Sequence, residues 1–112
     1  MRDAFVAELY DQRAVDSNII CLAGDIGYRV FDKFRSDFPG AFLNTGIAEQ
    51  NMIGMAAGLS SNGFIPVVYT IIPFLTMRAF EQIRVDLCMH NRKVLLVGVG
   101  GGFSYGNLGP TH

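Results

Sequence analysis

The sequence predicts an α/β fold: a parallel sheet with helices on both faces, three layers in all. Two observations predict it. Segments with apolar residues at helical spacing alternate with short runs that are apolar at nearly every position, as strands buried on both faces are. Glycine, polar and aromatic residues cluster directly after those runs, at Gly24-Asp25, Asn44 through Glu49, Thr70 through Phe74 and Gly100 through Gly102. In such sheets, ligands bind beyond the carboxyl ends of the strands.

Each element has its own warrant. Residues 2–16 set Phe5, Leu9 and Tyr10 near one helical face, with Asp3, Glu8, Asp11 and Arg13 largely elsewhere. "IICLA" reads as a buried strand stopped by "GDIG". "YRVFDKFRSDFPG" carries Val30, Phe31 and Phe34 at helical spacing and closes at Pro39-Gly40. "AFLNT" is a second strand, and a helix follows from near Gly46 to Asn62-Gly63, a natural stop. "FIPVVYTII" is the third strand. "FLTMRAFEQIRVDLCMHN" repeats Leu75, Ala79, Ile83 and Leu87 along one side and predicts a helix. "KVLLVGVG" is the fourth strand, and "GGFSYGNLGPTH" is a loop.

Bulk properties narrow the function classes. A chain of 112 residues forms one domain with one core. Half of it is hydrophobic and 17% is charged, which argues against disorder. A formal charge of −1 without a basic stretch disfavours nucleic acid as a partner. No run has the length of a membrane span, and the N-terminus lacks a signal-peptide core, so a cytoplasmic location is expected. Cys21 and Cys88 lie in apolar segments and are expected to be reduced and buried.

Most short motifs fail on inspection. "GVGGGF" lacks the third glycine of a dinucleotide fingerprint, because Phe103 stands in its place. "GDIG" with Asn44 misses the glycine of a magnesium-diphosphate signature, where Ile26 stands, so no metal ligands are assigned. His90 and His112 have no second ligand at metal-binding spacing, and His90 suits a helix C-terminus. Ser60, Ser61 and Ser104 lack a neighbouring His–Asp arrangement.

Glu49 is different. It opens a run of Met52, Ile53, Ala56, Ala57 and Leu59, and an ionised carboxylate is costly to bury without a partner. It is either an exposed helix cap or a group held for chemistry.

Three blocks, "FLNTGIAEQNMIGMAAGL", "PFLTMRAFEQIR" and "GPTH", occur in this order. With them the chain resembles the pyrimidine-binding domain of transketolase-type thiamine diphosphate enzymes, from Asn18 to His112. The resemblance implies the thiamine diphosphate-binding fold of pyrimidine-domain type and transfer of a ketol group between sugars. It implies that Glu49 hydrogen-bonds N1′ of the cofactor's aminopyrimidine and favours the imino tautomer, so that thiazolium C2 loses its proton and the cofactor becomes an electron sink. By the same resemblance Phe74 stacks on the pyrimidine, Asp25 lines the cofactor pocket, and His112 faces cofactor and substrate as a proton donor or shuttle. Burial is expected to favour the protonated carboxyl of Glu49 over the opposing pull of the helix start.

The departures carry information too. Where sugar-phosphate transketolases read Glu-Asp-Gly-Pro-Thr-His, this chain reads Asn107-Leu108-Gly109-Pro110-Thr111-His112, and a substrate-facing histidine is replaced by Gly100. Both changes remove polar handles, so a modified or less hydroxylated sugar is expected. The family's domain continues past "GPTH", so residues 1–112 are expected to be a pyrimidine-binding domain without its C-terminal part. Met1 lies near the usual start of that domain, as in a split transketolase. The expected partners are then a diphosphate-binding subunit that holds Mg²⁺, a sugar or sugar-phosphate substrate, and further copies in a dimer or heterotetramer. Two alternatives stand beside this reading. One is another enzyme of the same architecture, a deoxyxylulose phosphate synthase or a 2-oxo acid dehydrogenase component. The other is a non-catalytic truncated interaction module.

Overall fold

Four parallel strands form one sheet in the order β2-β1-β3-β4: β1 Ile19–Ala23, β2 Phe42–Asn44, β3 Ile65–Ile71 and β4 Leu95–Val99. The computed structural model describes residues 1–112. In register, Cys21 stands between Phe42 and Val67, and Tyr69 stands between Ala23 and Val97. This is the predicted parallel sheet, with helices on both of its faces.

One face is aromatic. Helix α1, Arg2–Val15, and the short α2, Asp32–Asp37, set Leu9, Phe31 and Phe34 against Cys21, Val67 and Tyr69. Phe31 meets Tyr69 edge-on with ring centroids 5.0 Å apart. The other face is aliphatic: α3, Glu49–Ser61, packs Met52, Ile53 and Ala56 over Leu22 and Val68, with Leu75, Ala79 and Leu87 beside them.

The second predicted helix is shorter than its apolar spacing suggests. Gly27 (φ +81°) and Arg29 (φ +64°) hold left-handed backbone, so regular α-helix starts only at Asp32. Gly27 is required here twice over, because a Cβ on it would lie 2.7 Å from the Phe31 ring. Helix α3 likewise begins at Glu49 rather than near Gly46, whose φ of +72° belongs to the preceding turn. Its far end closes as predicted: the Asn62 side-chain amide donates to the Gly58 carbonyl at 2.8 Å, and Gly63 follows at φ +86°.

After β3 the predicted single helix is a composite. A π-helical segment, Phe74–Arg78, leads into the single α-helical turn α4, Phe80–Gln82, and a second π-helical segment, Ile83–Met89. The stripe of Leu75, Ala79 and Leu87 still faces the core, with Ile83 half-buried. π-Helical turns recur at functional sites because they re-aim side chains off the regular i, i+4 ladder. His90 ends this stretch with its ring Nδ1 2.8 Å from the Val85 carbonyl, in the C-terminal position foreseen for it. The loop after β4 contains one 3₁₀ stretch, Gly106–Thr111, kinked at Gly109.

Two expectations about burial are corrected. Cys88 is exposed, because it lies on the outer side of the second π-helical segment, one residue past the buried Leu87. Strand β4 is as apolar as β1, yet Leu95 and Leu96 are exposed, whereas every residue of β1 is buried. Cys21 is fully buried, and burial pushes its thiol up to about 12. It fills the core as an uncharged group.

Candidate active site

Glu49 is the first residue of α3, and it turns inward. It lies at the carboxyl rim of the sheet and is 1% exposed. Two partners hold its carboxylate there. The guanidinium of Arg78 donates from Nη1 to Oε2 at 2.7 Å, and the Thr70 hydroxyl donates to Oε1 at 3.3 Å. The start of a 13-residue helix adds a favourable dipole. The cost of burying a charge is therefore offset by a second charge and a hydrogen bond. Glu49 is not an exposed cap.

Its surroundings are shaped by a missing side chain. A Cβ on the buried Gly24 would sit 3.3 Å from Glu49 Oε1 and 3.4 Å from Thr70 Oγ1. Glycine at this strand end lets the carboxyl group approach the backbone of β1.

Arg78 links Glu49 to the aromatic part of the rim. Its guanidinium carbon lies 4.2 Å from the centre of the Phe74 ring, within cation–π range. The Phe74 ring meets His112 edge-on at 4.9 Å, and His112 meets Tyr105 at 5.8 Å. The Nδ1 of His112 is 2.8 Å from the Thr111 hydroxyl. Glu49, Phe74 and His112, far apart in sequence, are thus joined through Arg78 into one continuous set of contacts.

Asp25 is placed differently. Its N–H donates to Asn44 Oδ1 and its carboxylate accepts from Asn44 Nδ2, both at 3.0 Å, while Asn44 Oδ1 also accepts from the Gly46 N–H. With φ of +55°, the exposed Asp25 shapes the turn beside Gly24, and its hydrogen bonds go to Asn44 rather than to Glu49. No group of three or more His, Cys, Asp or Glu side chains converges anywhere in the chain.

Sequence reasoning placed Gly24 and Thr70 at the rim without linking them to Glu49, and it gave Arg78 no role. Signals for two of them were present. Arg78 stands four residues after Phe74 in "FLTMR", and Thr70 is the one hydroxyl besides Tyr69 in an otherwise apolar strand.

The residues suit an aminopyrimidine. A flat, partly apolar heterocycle needs an aromatic face and a dry hydrogen-bonding acid, and Phe74 and Glu49 are these. Oε1 retains acceptor capacity, since its one partner is at the long 3.3 Å. A concavity of about 990 Å³ lies on the aromatic face of the sheet, lined by Phe5, Tyr69, Val97, Val99 and Tyr105 among others. It includes none of Glu49, Thr70, Phe74 or Arg78.

Comparison with known proteins settles the family. The family described as "Transketolase, pyrimidine binding domain" matches residues 1–112. The chain belongs to that family. This pyrimidine-binding domain is 47% identical over 79 residues to an apulose-4-phosphate transketolase subunit of Actinobacillus succinogenes, covering 70% of this chain and 25% of that protein. It is 31% identical over 113 aligned residues to a 6-deoxy-6-sulfo-D-fructose transketolase subunit of Clostridium sp., covering 100% of this chain and 35% of the relative. Among solved structures it resembles a split gene transketolase described as an inactive beta4 tetramer, with TM-score 0.80, 37% identity and coverage of 87% of this chain and 33% of that one. The pyrimidine-binding domain spans a quarter to about a third of the length of these relatives.

Proposed function

We propose that this pyrimidine-binding domain activates thiamine diphosphate in a split transketolase that moves ketol groups between sugars. The buried Glu49 carries the reading: a carboxylate that is 1% exposed, on a helix start otherwise packed with apolar side chains, has no structural need to be an acid. When bound, thiamine diphosphate supplies the electron sink for breaking the carbon–carbon bond next to a ketone. The chain's own part is to present Glu49 to N1′ of the aminopyrimidine, where the two share a proton. Phe74 stacks on the ring and excludes water from one side. His112, in edge contact with Phe74, donates or accepts a proton at the substrate. Asp25 shapes the rim turn that borders the pocket.

The diphosphate and its Mg²⁺ fall to a partner subunit in this reading, and the assembly is a dimer or heterotetramer of cytoplasmic subunits. The split-gene relative whose beta4 tetramer is described as inactive supports a need for such a partner. The substrate is a modified ketose or its phosphate. Leu108 and Gly100 replace polar handles, and the two relatives are named for apulose 4-phosphate and a 6-deoxy-6-sulfo sugar.

The test is Glu49→Gln in the assembled enzyme. Turnover falls by at least about 100-fold, the usual scale for losing a positioned acid–base group. Full turnover in that variant refutes the role. A strong preference for xylulose 5-phosphate over deoxy-ketoses refutes the substrate class.

A further inference from the structure

Arg78 touches both side chains assigned to the cofactor ring, and nothing in the proposed chemistry so far uses it. Its Nη1 is 2.7 Å from Glu49 Oε2, and its guanidinium carbon is 4.2 Å from the Phe74 ring centre. The two contacts come from opposite properties of one planar group: charged N–H donors at its edge and a flat, weakly hydrated face. Glu49 is 1% exposed and the Arg78 side chain 41%, so the acid is anchored from the solvent side.

The two carboxylate oxygens are consequently unequal. Oε2 takes a short charge-assisted bond, the stronger kind. Oε1 takes only the Thr70 hydroxyl at 3.3 Å and faces the space that Gly24 leaves open. Arg78 lies in the π-helical segment Phe74–Arg78, so Phe74 and the guanidinium that covers it belong to one turn.

We infer that Arg78 is a positioning residue: it ties down Oε2 of Glu49, leaves Oε1 as the oxygen presented to the aminopyrimidine, and braces the Phe74 ring. This rests on the thiamine diphosphate reading above. Lysine can keep the charge at this position but cannot lie flat on Phe74, and methionine can do neither.

The experiment uses the assembled enzyme with thiamine diphosphate, and two readouts besides turnover. One is calorimetric affinity for the cofactor. The other is the ultraviolet circular dichroism signal of the iminopyrimidine form, divided by the amount of cofactor bound. For R78M, the signal per bound cofactor and the affinity both fall by about tenfold, the scale of one charge-assisted hydrogen bond. R78K keeps most of the signal per bound cofactor and loses affinity. A residue with a merely structural role would change how much cofactor binds but not the signal per bound molecule. Wild-type signal per bound cofactor in R78M, or wild-type affinity in R78K, overturns the inference. Should R78M give no cooperative melt, the R78K affinity alone decides. Absence of cofactor binding by the wild-type assembly refutes the thiamine diphosphate reading itself, and the inference falls with it.

Discussion

Two ion pairs of nearly equal length lie at different ends of the burial scale. Arg78 and Glu49 meet at the rim with the acid 1% exposed, while Lys33 and Asp37 meet on the surface with side chains 71% and 38% exposed. Each acid has a second partner, the Thr70 hydroxyl for Glu49 and the Tyr10 hydroxyl, at 2.7 Å, for Asp37. The number of partners therefore does not separate them. What differs is the state left behind when a partner is removed. Asp37 returns to water, whereas Glu49, 1% exposed, stays as a buried charge. An ion pair matters in proportion to how badly its members fare alone.

Breaking the buried pair has the largest expected effect. Arg78→Met lowers stability toward the low end of the roughly 3–5 kcal/mol seen for stranded buried charges, the low end because Arg78 itself is 41% exposed. Urea denaturation of the single variant, and of Arg78→Met combined with Glu49→Gln, checks this. The double variant recovers much of the loss, because no buried charge then lacks a partner. Equal loss in both would mean that packing, not charge, holds the rim.

Crowding the acid comes next. In Gly24→Ala the new methyl lies 3.3 Å from Glu49 Oε1 and 3.4 Å from Thr70 Oγ1, so both must give by a few tenths of an ångström. The stability cost is about 1 kcal/mol, the low end for an added methyl in a packed core. Cofactor affinity falls further than the stability, since Oε1 is the group displaced. Denaturation and calorimetry on the same sample separate the two.

Breaking the surface pair has the smallest effect, and pH sharpens it. The hydrogen bond from Lys33, then that from Tyr10, holds the Asp37 carboxyl below its usual range. The hydrogen bond to Asp37, then that to Tyr10, raises Lys33 above its own. The Asp37 contribution is therefore present above the unfolded carboxylate value and lost as pH falls through the folded one. The Lys33 contribution is present below the unfolded lysine value and lost as pH rises through the folded one. Asp37→Asn thus shifts the urea midpoint slightly at neutral pH and not at all in strong acid. A difference that persists in acid would mean that the side chain acts through something other than its charge.

The same contrast runs through the strands. "IICLA" and "LLVGV" are equally apolar, but β1 lies inside the sheet and β4 at its edge, with Leu95 53% exposed. Composition predicted a strand in each case and a buried one in both. Burial depends on neighbours, and a strand's own residues do not name them.

Sequence alone determined what depends on local chemistry. The alternation of apolar runs and helical spacings specified four strands, their parallel pairing and helices on both faces. Three short blocks marked Glu49, Phe74 and His112, and the structure brings these three into one contact set. Only the tertiary structure decided the rest. It shortened the second helix, because left-handed backbone at Gly27 and Arg29 lets Phe31 reach the core. It turned the predicted helix after β3 into π-helical segments, and it set Asp25 in a turn with Asn44. Above all it supplied Arg78, the countercharge that makes a buried Glu49 affordable. Periodicity records which face of an element is apolar over a few residues. The partner of a charge 29 residues away is chosen by how the faces stack.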